Sequence, residues 1–523
     1  MSGSIRNIAI IAHVDHGKTT LVDAILRQTG VFRKNQQVAE RVMDSNDLER
    51  ERGITIFSKN AAFDYQGVKI NIVDTPGHAD FGGEVQRILK MVDSVLLIVD
   101  AFEGPMPQTK YVLKKSLQLD LRPLVVINKI DRPNARPHEV LTAVFDLFVE
   151  LNASDEQLDF PVIYTSAKEG IAKWQLEEES HGMTPLLDAI IKYVPQPSGD
   201  ENAPLQMLVS AIDYDNYLGQ LGTGKIHQGK ISAGDTVALM TRDGALENFK
   251  VSRIFTYHGL KRQETECAFA GDIVTVAGSE SVHVGETICH RDFPVAIPVM
   301  NIDEPTMAMT FIINDSPFAG NEGKYVTSRH LENRLKKEIL TNVNLRLEEG
   351  SVRGSFVVKG RGALQLSILI ENMRREGFEF AVSPPRVIEK IIDGERCEPV
   401  EQAVVDVAEE YAGVVIEMFG TRKGELRNMN NGSDGYTRLE FLVPARGLIG
   451  FNNEFLTATR GTGILNHSFY AYEPYKGEIR RKNKGAMIVL EPGTSVAFAL
   501  FNLQERGQLF IPAGVPVYPG MII

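Results

Sequence analysis

Ala12–His13–Val14–Asp15–His16–Gly17–Lys18–Thr19–Thr20 follows an apolar run, Asn7–Ile11, and opens an amphipathic stretch, Leu21–Gln28. Strand, tight turn and helix in that order form the setting of a phosphate-binding loop. Backbone N–H groups of such a turn converge on an anion, and the helix N-terminus favours negative charge. Asp15, His16 and Gly17 make the turn, and Gly17 lets the backbone approach a phosphate closely. Lys18 brings a point charge to the β- and γ-phosphates, the Thr19 hydroxyl is a hard oxygen ligand for Mg²⁺, and Thr20 completes the loop. Ala12 stands where the general pattern has glycine.

Outward from this loop, short apolar runs alternate with helix-patterned segments as far as Val194. The strands expected are Asn7–Ile11, Ile56–Tyr65, Val68–Val73, Val95–Val99, Leu124–Ile127 and Pro161–Tyr164. Amphipathic stretches at Leu21–Gln28, Glu84–Met91, Gln108–Leu117 and His138–Leu151 lie between them, which predicts a mainly parallel sheet wrapped by helices. The polar turn Gln66–Gly67 makes one pair a hairpin, so one edge strand should be antiparallel.

Three more motifs fall at the ends of these strands. Asp74–Thr75–Pro76–Gly77–His78 closes Val68–Val73, so Asp74 can reach Mg²⁺ through water and the Gly77 N–H can meet a γ-phosphate. Arg52–Gly53–Ile54–Thr55 stands between the first two motifs, where Thr55 can add a second hydroxyl to the metal. Asn128–Lys129–Ile130–Asp131 ends Leu124–Ile127, and the Asp131 carboxylate can accept from both N1–H and the 2-amino group of guanine. Adenine offers neither donor. Two charge-assisted bonds of about 1.5–3 kcal/mol each give roughly 10²–10⁴-fold preference for GTP. Ser166–Ala167–Lys168 follows Pro161–Tyr164 and can close over the base.

Beyond the linker Pro195–Asp200 the texture changes. Residues 203–298 read as short glycine-broken strands, hence a small β-barrel. From Thr306 to Arg386 an α+β sandwich is expected, with helices Ser328–Leu340 and Ala363–Glu376 and strands Arg346–Leu347 and Ser355–Lys359. A similar pattern recurs between Glu401 and Tyr472, with helices at Tyr411–Phe419 and Leu448–Thr459. Past Tyr475 the chain turns basic (Arg480, Arg481, Lys482, Lys484) and then strand-like. The expected units are a P-loop α/β domain (1–200), a β-barrel (201–300), two ferredoxin-like α+β modules (301–388 and 389–475) and the start of a β-rich C-terminal domain (476–523).

The string Ala-His-Val-Asp-His-Gly-Lys-Thr, with Arg-Gly-Ile-Thr, Asp-Thr-Pro-Gly-His and Asn-Lys-Ile-Asp, resembles the translational GTPases. The resemblance implies that His78 orients the attacking water and that Val14 and Ile54 form a hydrophobic gate beside it. It also implies that Asp15 helps to bind a monovalent cation. Only about fifteen residues join Arg386 to Glu401, too few for the decoding-site domain of an elongation factor G-like translocase. Val407–Gly413, Gly420–Gly424, Arg446–Phe451 and Thr459–Gly463 are similar to the BipA (TypA) family, and the similarity runs along essentially the whole chain. That family's members continue beyond a segment like Val515–Ile523 with a basic tail, so a truncated or partly ordered chain is expected.

What the resemblance implies is GTP hydrolysis to GDP and phosphate and a role in large-subunit assembly and translation under cold or other stress. It further implies a monomer bound to the ribosome, touching both subunits, ribosomal RNA and A-site tRNA. The catalytic set is then His78, Thr55 and Lys18, and the metal set Thr19, Thr55 and Asp74. A LepA-like factor, a metabolic GTPase of the sulfate-activation type and a nucleotide-holding scaffold without turnover are the alternatives. The metabolic enzyme needs nothing after Pro298.

Composition is consistent with these readings. The 523 residues are 43% hydrophobic and carry a formal charge of −12, which argues against bulk non-specific nucleic-acid binding and leaves local basic clusters for a nucleic-acid partner; no DNA partner is expected. Arg334, Lys336 and Lys337 are a second such cluster. Three scattered cysteines, Cys267, Cys289 and Cys397, form neither a disulfide framework nor a zinc motif and suit a reducing compartment. No run reaches the length of a signal or membrane segment, so no membrane partner and a cytoplasmic location are expected.

Overall fold

The computed structural model describes residues 4–13, 15–31, 47–52, 55, 59–76, 82–215, 217–279, 281–298, 304–342, 344–431, 435–479 and 485–523. Val14, Gly53, Ile54, Gly77, His78, the first residues of the Ile56–Tyr65 strand and the cluster Arg480, Arg481, Lys482 and Lys484 lie outside them.

The first unit runs β1 (Ile5–Ala12), α1 (Lys18–Gln28), α2 (Asp47–Arg52), β2 (Lys59–Tyr65), β3 (Val68–Asp74), α3 (Gly82–Leu89), β4 (Ser94–Asp100), α4 (Pro107–Gln118), β5 (Arg122–Asn128), α5 (Pro137–Glu150), α6 (Asp155–Leu158), β6 (Val162–Ser166), β7 (Ile171–Lys173) and α7 (Thr184–Tyr193). Its sheet has the order β2-β3-β1-β4-β5-β6-β7. The five central strands are parallel, because a helix crosses over between successive members. Both edges are antiparallel rather than one: β2 pairs with β3 through the turn at Gln66 (φ 51) and Gly67 (φ 78), and β7 pairs back on β6. Alternate strand residues feed two cores. Ile8, Ile10, Leu96 and Ile98 face α1 and α7, whereas Ile11, Leu97, Val99 and Val125 face α3, α4 and α5.

The barrel segment is an eight-stranded antiparallel sheet between Gln206 and Cys289 with a two-stranded ribbon, coiled around Met207, Val209, Ile226, Leu239, Ile254 and Val274. Gly224 sits inside it where a Cβ would come within 1.9 Å of the Leu208 carbonyl oxygen, beside the register shift at Val209 to Ala211. Lys69 and Asn71 of β3 reach Asp272 at 2.8 and 3.3 Å, joining barrel to sheet.

Residues Met307–Val387 form a βαββαβ layer over Phe311, Leu335, Val358 and Leu366. The following unit repeats the plan around stacked Phe419 and Phe441, whose rings are 4.1 Å apart. The helix expected over Leu448–Thr459 is broken in two, Ala445–Leu448 and Phe451–Ala458, because Gly450 takes φ 74 and starts a new helix. Past residue 484 the strand texture amounts to Gly493–Thr494 paired with Pro516–Val517 and one bridge, Ile488 to Ile522. The apolar stretch Ala497–Leu503 is a helix, with none of its residues buried.

One inter-unit contact bears on the site. Leu48 of α2 packs against Ile368 and Leu364, and Glu51 accepts from Arg375 at 2.9 Å, so α2 rests on the Ala363–Arg375 helix. A cavity of about 750 Å³ lies behind α3, lined by Glu84, Arg87, Ser210, Arg262, Arg334 and Asn342 from three units.

Candidate nucleotide site

The ends of β1, β3, β4, β5 and β6 converge on one edge of the sheet, where parallel strands leave their loops free for a ligand. After β1 the backbone turns through left-handed conformations at Asp15 (φ 64) and Gly17 (φ 90), and Gly17 caps α1. A Cβ on Gly17 would stand 2.4 Å from the Asn128 amide nitrogen, so this turn admits only glycine. Lys18 is the first residue of α1 and is buried; Thr19 is half-buried, and Asp15 and Thr20 are exposed.

Parallel pairing sets Asp74 beside Ile10, and the Thr75 hydroxyl donates to the Ile10 carbonyl at 2.6 Å. The Lys18 ammonium lies 2.9 Å from Asp74 Oδ1 and also donates to the Thr75 carbonyl. Asp74 is fully buried, and among the described residues no hydrogen bond of good geometry reaches either of its oxygens. Burial pushes its carboxyl above the usual range, and Lys18 only partly pulls it back. A carboxylate held dry beside one cation fits a magnesium-binding role. Thr55, the expected second hydroxyl, is buried. Among the described residues no group of three His, Cys, Asp or Glu side chains gathers to hold a metal.

On the base side, β5 pairing places Asn128 opposite both Asp100 and Thr165. The Asn128 amide donates to the His16 carbonyl at 2.9 Å and accepts from the Thr165 hydroxyl and the Ala167 N–H, both at 3.0 Å. One buried side chain therefore pins three loops. Lys129 takes φ 63, and the Ile130 N–H donates to the Thr165 carbonyl at 3.2 Å. That leaves the Asp131 carboxylate exposed and able to meet a base edge. Ser166 is buried, accepting from the Glu169 N–H at 3.3 Å, and Lys168 is exposed.

Sequence reading missed Asp100 and Glu103. Asp100 ends β4 and is fully buried; Oδ2 is 2.7 Å from Lys129 Nζ and 3.0 Å from Arg132, while Oδ1 accepts the Phe102 N–H at 2.8 Å. Burial raises its carboxyl, but the Lys129 and Phe102 bonds outweigh that and hold it below the ordinary value. The Asp100 N–H donates to His16 Nδ1 at 3.3 Å, and the other ring nitrogen faces Glu103 at 3.5 Å. His16 in turn lowers the Glu103 carboxyl. The signal was present: an acid one residue past the apolar run Val95–Val99, at the same sheet edge as the motifs.

Comparison with known proteins bears on each part of this arrangement. Residues 3–196 match the elongation factor Tu GTP-binding domain, 219–289 elongation factor Tu domain 2, 395–483 the elongation factor G C-terminus and 484–523 the TypA/BipA C-terminal domain. A Thermus thermophilus protein of known structure, ttk003000868, shares the fold at TM-score 0.63 and 17% identity, over 90% of this chain and 97% of its own. The large ribosomal subunit assembly factor BipA of Bacillus subtilis is 54% identical over 100% of this chain and 86% of its own length. Its counterpart in Synechocystis is also 54% identical, over 100% and 88%, and that of Escherichia coli K12 is 52% identical, over 100% and 86%. The C-terminal match separates the chain from the LepA-like alternative. The chain belongs to the BipA family of GTP-hydrolysing translation factors.

Proposed function

We propose that this chain is a ribosome-associated GTPase acting in assembly of the large ribosomal subunit, with the four strand-end loops as its nucleotide site. The observation that carries the site is Asn128, whose one amide ties the phosphate loop to both base loops. The assembly role rests on relatives of about half-identical sequence that bear that name.

In this reading Asp15, His16, Gly17, Lys18, Thr19 and Thr20 cradle the phosphates. Thr19, Thr55 and Asp74 hold Mg²⁺, which when bound neutralises charge on the β- and γ-phosphate oxygens. Asn128, Lys129, Ile130, Asp131, Ser166, Ala167 and Lys168 enclose guanine. Lys18 stabilises the phosphoryl charge and the Gly77 N–H meets the γ-phosphate. His78, one residue on, orients water. Such chemistry is mainly positioning and charge stabilisation. An exposed Asp15 carboxylate leaves room for a monovalent cation. The units 1–200, 201–300, 301–388, 389–475 and 476–523 make up the ribosome-bound protein. They contact both subunits, ribosomal RNA and A-site tRNA as a cytoplasmic monomer, and Arg480, Arg481, Lys482 and Lys484 meet RNA phosphates.

The test compares wild type with His78→Ala. Intrinsic hydrolysis should be slow, ribosomes should stimulate it strongly, and the variant should lose about 10²–10³-fold of the stimulated rate. GTP affinity and analogue-dependent pelleting with ribosomes should stay within about threefold, since neither uses a water-orienting imidazole. Equal loss of binding and turnover would make His78 structural and sink the mechanism.

A further inference from the structure

We infer that Asp100 is a positioning residue for the nucleotide: it holds the Lys129 side chain across the phosphate-loop glycine and so governs how slowly nucleotide leaves. The inference rests on the reading that this edge of the sheet binds guanine nucleotide. Lys129 belongs to the base loop, but its left-handed backbone (φ 63) turns the side chain back toward the phosphate loop. Its Cε lies 3.9 Å from the point where a Cβ on Gly17 would stand, and its ammonium ends 2.7 Å from Asp100 Oδ2. The side chain is thus a strap from β5, past Gly17, to the end of β4.

Asp100 is built to hold that strap. Its carboxylate is fully buried, yet four donors meet it: Lys129, Arg132 and the N–H groups of Phe102 and Glu103. A buried acid without those partners would be strongly penalised, so the site commits Asp100 to remaining charged. Its backbone reaches both sides of the same pocket. The Asp100 N–H donates to the His16 ring in the phosphate loop, and the next N–H, of Ala101, donates to the Asn128 carbonyl at 2.8 Å. Lys129 itself is 29% exposed in its side chain, so without an anchor its ammonium can swing into solvent and leave the face of Gly17 open.

Arg132 shares Oδ2 but differs in two respects. Its side chain is 39% exposed, and its guanidinium also lies over the Phe102 ring at 5.2 Å. It neutralises Asp100 from outside and does not pass Gly17. The strap should therefore survive its loss.

The experiment measures release of a fluorescent GDP analogue from the full chain by chase with excess GDP. It is run alongside single-turnover hydrolysis of prebound GTP and the thermal midpoint. Asp100→Asn keeps the shape and the acceptor for Phe102 but loses the charge. Release should quicken about tenfold, because removing one partner of a desolvated charge pair acts on the off-rate. Hydrolysis of GTP already bound should stay within about twofold, since no reacting atom is touched. Guanine should remain preferred over xanthine, because Asp131 is unchanged. Arg132→Ala should release within about twofold of wild type. Lys129→Ala combined with Asp100→Asn should release no faster than the faster single variant, because both cut the same strap. Asp100→Ser, smaller and still able to accept the Phe102 N–H, serves if the amide does not fold.

Wild-type release from a folded Asp100 variant overturns the inference, as do multiplicative effects in the double variant. Parallel losses in release, hydrolysis and thermal midpoint make Asp100 a structural residue and overturn it too. Failure of wild type itself to bind the GDP analogue counts instead against the nucleotide-site reading.

Discussion

The Lys18 ammonium stands 2.9 Å from Oδ1 of Asp74, a carboxylate with no exposure to solvent and, among the described residues, no hydrogen bond of good geometry. Burial raises the Asp74 carboxyl, so in the fold it binds a proton more tightly than in the open chain. Its contribution to stability is therefore greatest at low pH and falls as pH climbs from the ordinary aspartate value through the raised one. A cation at the site competes with that proton. Magnesium-dependent tightening of GTP should accordingly strengthen with rising pH in wild type. In Asp74→Asn it should weaken by about 10–100-fold and lose that pH dependence. Titration of a fluorescent GTP analogue with and without Mg²⁺ across pH checks both; an unchanged magnesium effect in the variant removes Asp74 from the metal set.

Gly17→Ala tests the contact between the phosphate loop and Asn128. The new methyl would meet the Asn128 amide at 2.4 Å in a backbone conformation already unfavourable to side chains. Asn128 must then release His16, Thr165 or Ala167, and nucleotide affinity should fall by at least about tenfold, at roughly 1.4 kcal/mol per decade. Equilibrium binding measures it. Full affinity in this variant would mean that the three-loop tie is dispensable.

The residue proposed to read the base, Asp131, reaches solvent. Asp131→Asn should weaken GTP by about 10²-fold, through loss of charge-assisted bonds, and admit xanthosine triphosphate, whose 2-oxo group can accept from the amide. Competition binding decides the matter, and retention of the GTP preference would show that another group reads the base.

Glu84 gives a pH prediction away from the nucleotide. It faces the cavity behind α3, where burial pushes its carboxyl up to about 7, Arg87 pulls it down and Glu338 pushes it up again. An acid raised in the fold stabilises least when ionised, so stability from this group is lost as pH rises from near 4.5 through about 7. Glu84→Gln should raise the thermal midpoint at pH 8 by a few degrees and leave it nearly unchanged at pH 5. Scanning calorimetry at the two pH values reads the difference. A midpoint equally shifted at both would mean that the effect is packing and not charge.

Much of the fold was legible because strand and helix periodicities differ. Val68–Val73 and Val95–Val99 fall within one residue of β3 and β4 at each end. The missed elements lack that signal: α2, Asp47–Arg52, is mostly charged, and β7 has three residues. Leu448–Thr459 was read as one helix because its apolar spacing continues through Gly450, whose φ sets the break and leaves no trace in periodicity. At the site, motifs identify residues by type, and Gly17, Lys18, Asp74 and Asn128 do gather on one edge. Asp100 was passed over because its partners come from strand register, Asp100 opposite Asn128, and register is a property of pairing. Lys18 was assigned to phosphate alone, yet it also answers the charge of a carboxylate at the far end of β3.

Helix α2 stands on ground that belongs to another unit: Leu48 is seated against Ile368, and Glu51 is tied to Arg375. Thr55, the hydroxyl assigned to the metal, lies only three residues beyond the end of that helix. With Thr55 in the proposed metal role, any change in how α2 is seated on the Ala363–Arg375 helix is linked to nucleotide binding, and the linkage runs equally in both directions. A partner that holds the outer units would then bias nucleotide affinity from the far side of Leu48, by the same free energy with which nucleotide biases the partner.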